Sequence, residues 1–200
     1  MTAPFDHAAT VELALAHYRQ PHRFYQDAAH VQEMMALARA LNLDLSLAEQ
    51  LAVLWHDAVY VPGADKGVNE ALSAKLMRAT AANGPDFFAA TEAKTLEAAE
   101  RIIVETMHAG EPSPEAARVI DLDLYRLGSS WADFDRHAHA IEREFRVLHA
   151  SPERFWIARG NFYRAMLQRQ HVFATPLFRE RFEAQAYDNL RRGTEGGHRF

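Results

Sequence analysis

A histidine followed directly by an aspartate, His56-Asp57, closes the apolar run Leu51-Ala52-Val53-Leu54-Trp55. An imidazole and a carboxylate at the end of so apolar a helix are costly to bury unless something pairs with them. Neighbouring helix residues diverge by about 100°, so these two side chains can share one ion lying between their directions. A pair hydrogen-bonded to nearby helix ends would satisfy the same two residues, and the dipeptide alone does not separate the readings. Any remaining ligands must come from other helices. His30 sits on the apolar side of the pattern His30, Met34, Leu37 and Leu41. Asp121 and Asp123 interrupt Val119-Ile120-Leu122-Leu124, where carboxylates are expensive. Two residues apart on a helix they point to different sides, so only one is expected to be a direct ligand.

The chain has no cysteine, which removes thiolate ligands, thiol nucleophiles and disulfides. Imidazole nitrogen with carboxylate oxygen is an intermediate ligand set, suited to manganese, iron, cobalt, nickel or zinc, with magnesium also admissible. Eleven histidines are present, and most sit in polar or capping contexts. His17, His22, His137, His139, His149, His171 and His198 therefore read as surface or packing residues.

The elements that must position these groups are helical throughout, since no segment alternates like a half-buried strand. A first helix is expected over Val11 to Arg19, stopped by Pro21, and a second from about Gln26 to Ala40. Ser46 and Glu49 form a capping-box pattern opening a third, with Leu47, Leu51, Leu54 and Ala58 on one face. After the loop Pro62 to Gly67, Asn69 is expected to cap a helix through Met77, and Gly84-Pro85 breaks the chain. A longer helix runs from near Thr91 to His108, closed by Gly110 and Pro112. Ser113-Pro114, Ser151-Pro152 and Thr175-Pro176 repeat one start signal, and Gly128 fits a stop. The stripe Phe134, Ala138, Ile141, Phe145 and Leu148 follows Ser130. It is buried either in the core or at a homodimer interface, and the sequence leaves both open. Gly193 to Phe200 reads as a frayed tail. With 200 residues and no repeat or linker, the expectation is one all-α domain with a core over about residues 11–192.

Nearly half the residues are apolar and a quarter charged, and the net charge is −5. That balance argues against a general nucleic-acid binder, which shows a basic face. Met1 to Thr10, with Asp6 and His7, lacks a signal-peptide pattern, and no apolar run approaches membrane-spanning length. The expected location is cytoplasmic.

The order His30, His56-Asp57, Asp123 resembles the H…HD…D signature of the HD superfamily of metal-dependent phosphohydrolases. The surroundings narrow the likeness to one branch of that superfamily: Pro21-His22-Arg23-Phe24-Tyr25, Trp55-His56-Asp57-Ala58-Val59-Tyr60, Asn69-Glu70-Ala71-Leu72-Ser73-Ala74 and Asp121-Leu122-Asp123-Leu124-Tyr125-Arg126-Leu127-Gly128. Ile103-Val104-Glu105-Thr106-Met107-His108, Ile141-Glu142-Arg143-Glu144-Phe145, Glu183, Asn189 and Leu190 extend it. The resemblance covers roughly Tyr18 to Leu190. It implies an HD-domain-like helical bundle with His30, His56, Asp57 and Asp123 as ligands of a divalent metal ion. Asp123 is preferred to Asp121 because the family's last aspartate precedes leucine or a basic residue. Asp121 would then orient a ligand or hold Arg143.

The implied activity is hydrolysis of a phosphate ester or anhydride, with a nucleotide or related small molecule as substrate. Asp57 would ligate the ion and help orient the attacking water. His108 reads either as a substrate or second-metal contact or as a helix C-terminal histidine favoured by the macrodipole. Glu70 reads either as an acid/base or water-positioning group or as plain helix N-terminal stabilisation. Arg23 and Arg143 are candidates to clamp phosphate oxygens, with surface salt bridges as the alternative. Many relatives carry His-Asn after the tyrosine, similar to the Tyr-His-Asn-x-x-His stretch of cyclic-nucleotide phosphodiesterases. There the first histidine protonates the leaving oxygen and the second binds metal. In Tyr25-Gln26-Asp27-Ala28-Ala29-His30 the second is kept and Gln26 replaces the first. Glutamine cannot donate a proton at neutral pH. Two other readings share the scaffold: a di-iron oxygenase, for which His108 is the convenient extra ligand, and a non-catalytic metal or nucleotide sensor, which Gln26 would suit.

Overall fold

The computed structural model describes residues 8–84, 86–148 and 151–198. Asp6, His7, Pro85, His149 and the final two residues, considered above, lie outside them. Among the described residues there is no strand, and the protein is all-α. The chain divides into two compact units between Leu122 and Asp123.

In the first unit, α1 (Ala8–Leu15) tightens into a 3-10 turn at Ala16–Tyr18 instead of continuing as one helix to Arg19. The tightening accompanies burial of Tyr18, whose hydroxyl donates to the Leu54 carbonyl at 3.1 Å. Helix α2 (Ala28–Ala40) begins two residues later than its apolar period suggests, because Asp27 caps it and accepts from the His30 N–H at 3.0 Å. Helix α3 (Leu47–Trp55) opens with the expected capping box: Ser46 Oγ accepts from Glu49 N–H, and the Glu49 carboxylate accepts from Ser46 N–H at 2.8 Å. Residues 51–56 are all buried. A helix apolar on every side must be surrounded, and α3 packs against α1, α2, α4 (Val68–Asn83) and α6 (Ala93–Glu105). The short α5 (Asp86–Ala89) lies between the last two.

Asn69 does not cap α4. Gly67, at φ +86°, occupies the cap position in the left-handed region, and the Asn69 side chain instead bridges the Val61 N–H and carbonyl at 3.0 and 3.2 Å. At the far end of α6, Glu105 accepts from both the N–H and the hydroxyl of Ser113 at 2.7 Å, tying that helix to the start of α7 (Ala117–Leu124). Arg118 on α7 grips Glu49 with Nε at 2.7 Å and a terminal nitrogen at 2.5 Å, and also donates to the Asp44 carbonyl at 2.9 Å. This fork fixes α7 against the start of α3.

The second unit begins with the end of α7 and a 3-10 turn at Tyr125–Gly128. Helix α8 (Trp131–Phe145) is capped by Ser130 and packs on α9 (Pro152–Leu167), which packs on α11 (Ala184–Thr194). Between them α10 (Pro176–Phe178) runs into a π-turn at Arg179–Glu183. The extra residue turns Glu183 inward, where it accepts from His171 Nδ1 at 2.8 Å. Gly128 has no room for a side chain: a Cβ there would lie 2.6 Å from the Phe182 carbonyl oxygen. Phe134, Ala138 and Ile141 are buried as their spacing predicts, while Leu148 is exposed.

Candidate metal centre

His56 is the C-cap of α3 and is 1 % exposed. Its Nδ1 lies 3.0 Å from the Val53 carbonyl, which can only accept, so Nδ1 carries a proton and in the neutral ring Nε2 presents its lone pair. That lone pair stands 3.4 Å from the Asp57 Oδ2. A lone pair against a carboxylate oxygen is repulsive unless a proton or a metal ion lies with them. Such an N–H-to-carbonyl bond on the far ring nitrogen is the usual support of a metal-ligating histidine.

His30 is fully buried in the first turn of α2. Its ring stacks on Tyr25 with centroids 5.6 Å apart and meets the His56 ring edge-on at 5.4 Å. Asp123, on the last turn of α7, completes the group: one ligand atom each from His30, His56 and Asp123 lie within 4.8 Å of one another. Two donors on opposite sides of one ion at bonds of about 2.1 Å stand about 4.2 Å apart. A pair 4.8 Å apart would therefore have to close by at least about 0.6 Å to share an ion. The residues present could hold a metal ion.

Of the expected site residues, Asp121 is fully buried two positions before Asp123 and is not one of the three. Asp57, expected as a ligand, stands beside His56, is half-buried and is likewise not one of the three. Glu70 lies in the first turn of α4, where a carboxylate suits the helix dipole. His108 follows α6 at φ +53°, past the helix end and in the left-handed region. Arg143 is exposed on α8.

Arg23 differs from its expectation as a phosphate clamp. It is only 6 % exposed, and its guanidinium donates to the Gln26, Asp57 and Ala58 carbonyls at 2.8, 2.7 and 3.1 Å. Its Nε is bonded to the Gln20 side chain, and its plane faces the Tyr18 and Tyr60 rings at 5.1 and 5.5 Å. Backbone oxygens hold the fork that phosphate would need. Asp27, which the sequence analysis did not single out, caps the turn that carries His30 and sits three residues before it.

The second unit holds a separate constellation around His198. Although the stretch after Gly193 reads as a frayed tail, His198 is 6 % exposed. Its Nδ1 lies 2.6 Å from Asp135 Oδ1 and its Nε2 3.0 Å from the Tyr163 hydroxyl. Its ring stacks on Trp156 and Trp131 at 4.6 and 5.3 Å. Burial pushes its pKa below the ordinary histidine value, against an opposing pull from Asp135. Trp156, Tyr163, Arg164 and His198 line one side of a cavity of about 340 Å³ between α9 and the end of α11.

No helix among the described residues is long and apolar enough to cross a membrane. Comparison with family models, with curated proteins and with solved structures finds no match.

Proposed function

We propose that the chain is a divalent-metal-dependent phosphohydrolase acting on a phosphate ester or anhydride, with a nucleotide or related small molecule as substrate. The observation that carries this reading is the meeting of His30, His56 and Asp123, with the Asp57 carboxylate 3.4 Å from His56 Nε2. The substrate class comes from the sequence resemblance to the HD phosphohydrolases. A bound divalent ion supplies a water of lowered pKa and neutralises charge on phosphate oxygens. His30, His56 and Asp123 hold it, with Asp57 as fourth ligand. The second oxygen of Asp57 orients the attacking water and receives its proton. Gln26 cannot protonate a leaving oxygen, so that proton comes from Glu70 or His108, or the leaving group departs unaided.

The test is elemental analysis of the purified protein, followed by a phosphatase screen over nucleotides, anhydrides and aryl phosphates with manganese, cobalt, nickel, zinc and magnesium in turn. Stoichiometric metal, with turnover that His56→Ala and Asp123→Ala abolish, is expected. Metal retention without hydrolysis of any such phosphate would refute the catalytic part. Failure to retain any metal would refute the whole.

A further inference from the structure

The two histidines come from different helices, and something must set their separation. Arg23 Nη1 donates at once to the Gln26 carbonyl, four residues before His30, and to the Asp57 carbonyl, one residue after His56. One nitrogen thus joins the approach to α2 with the exit of α3. Its second terminal nitrogen holds the Ala58 carbonyl, and burial shields these bonds from competing water.

Tyr18 acts on the same exit. In a continuing helix the Asp57 N–H would donate to the Val53 carbonyl. Here the Tyr18 hydroxyl accepts that N–H at 3.1 Å, donating its own proton to the Leu54 carbonyl. The Val53 carbonyl is thereby left to His56 Nδ1, the bond that aims the His56 lone pair. Tyr18 also lies beneath the Arg23 guanidinium, so the two residues form one brace.

We infer that Arg23 and Tyr18 are positioning residues that set the spacing and orientation of His30 and His56 and so determine the affinity of the site for a divalent ion. The inference rests on the metal-binding reading above. It opposes simple electrostatics, because a guanidinium this close repels a cation. Charge alone predicts that Arg23→Met binds metal more tightly, and positioning predicts that it binds more weakly.

The experiment is calorimetric titration with manganese of metal-stripped wild type, Arg23→Met, Arg23→Lys, Tyr18→Phe and Arg179→Met, each also melted by circular dichroism. Arg179 is the control. It holds the Phe173 and Ala174 carbonyls at 2.8 and 2.7 Å by the same chemistry in the second unit. Arg23→Met and Tyr18→Phe are expected to weaken manganese binding about 10- to 100-fold, the usual effect of removing a ligand's support. Arg23→Lys keeps the charge but not the fork and is expected to bind more weakly than wild type. Arg179→Met is expected to lower Tm and leave the affinity unchanged. Wild-type or tighter binding by Arg23→Met overturns the inference. Should that variant not fold, Tyr18→Phe decides alone, since it removes one oxygen from an intact ring, and wild-type affinity there overturns the inference. If wild type itself binds no manganese, the metal-binding reading falls and takes the inference with it. Binding by wild type with unaffected variants sinks the inference alone.

Discussion

His56 cannot present a proton and a lone pair from the same nitrogen, and the Val53 carbonyl decides which nitrogen does which. The two aspartates of α7 divide in a similar way. Asp123 shares a space with both imidazoles, whereas Asp121 is fully buried and outside that group. On the metal-binding reading, Asp123→Asn is expected to weaken manganese binding by about tenfold or more, and Asp121→Asn to act mainly on Tm. Titration and melting of the two variants side by side check this, and a reversed order would transfer the ligand role to Asp121. Gln26 raises a separate question about the reaction. General-acid catalysis is worth about 10²–10⁴-fold, and a glutamine supplies none. On the phosphohydrolase reading, wild type should prefer anhydrides and aryl phosphates to alkyl monoesters. Gln26→His should raise turnover chiefly on poor leaving groups. A rate series against leaving-group pKa for both proteins tests it, and parallel slopes would show that position 26 supplies no proton.

The helices differ in how much of their construction is local. The capping box of α3 is written within four residues, Ser46 to Glu49, and it forms as read. Ser46→Ala should cost about 1 kcal/mol in urea denaturation. Glu49→Ala should cost more, because Glu49 also receives Arg118 and its loss leaves that guanidinium without its carboxylate. Gly128→Ala should be among the most damaging single-methyl changes, since the new carbon meets Phe182 backbone rather than a movable side chain. What was legible in the sequence was what lay within a turn or interrupted an apolar run. The helices, the cap of α3, and the meeting of His30, His56 and Asp123 from apolar stretches qualify. What was not legible spans distance. Tyr18 reaches Leu54 and Arg23 reaches Asp57 across 36 and 34 residues, and no local pattern announces either bond. Asn69 misled for the opposite reason: a good capping residue by type, it lies one position inside a helix that a left-handed glycine had already begun.

At the scale of the molecule, the second unit encloses a titrating group of its own. In the second, His198 is held neutral by burial, flanked by Asp135, His139 and Arg159, with Arg192 over the neighbouring Trp131 ring at 3.9 Å. A base whose folded pKa is depressed binds its proton more readily in the unfolded chain. Its contribution to stability is present above the unfolded value of about 6.5 and is lost as pH falls through the folded value. Tm should therefore drop on acidification below about pH 6.5, and His198→Phe should flatten that part of the slope while filling the aromatic nest. Melting curves from pH 5 to 8 on both proteins check the sign. A wild type that gains stability on acidification through that window would mean that the Asp135 ion pair outweighs burial.

Helix α7 has a consequence for how the protein is made. Asp123 is the first residue of the second unit, yet it rides on a helix that starts at Ala117 in the first. The first unit, with its own core, supplies both histidines and Asp57, and Asp123 follows directly after it in the chain. Two imidazoles and the Asp57 carboxylate leave the ligand set one carboxylate short until Asp123 is added. On the metal-binding reading, the full ligand set exists only once the chain has passed Asp123. The choice of ion then falls to the finished protein, and chain produced in metal-depleted medium should take up manganese afterwards without being unfolded.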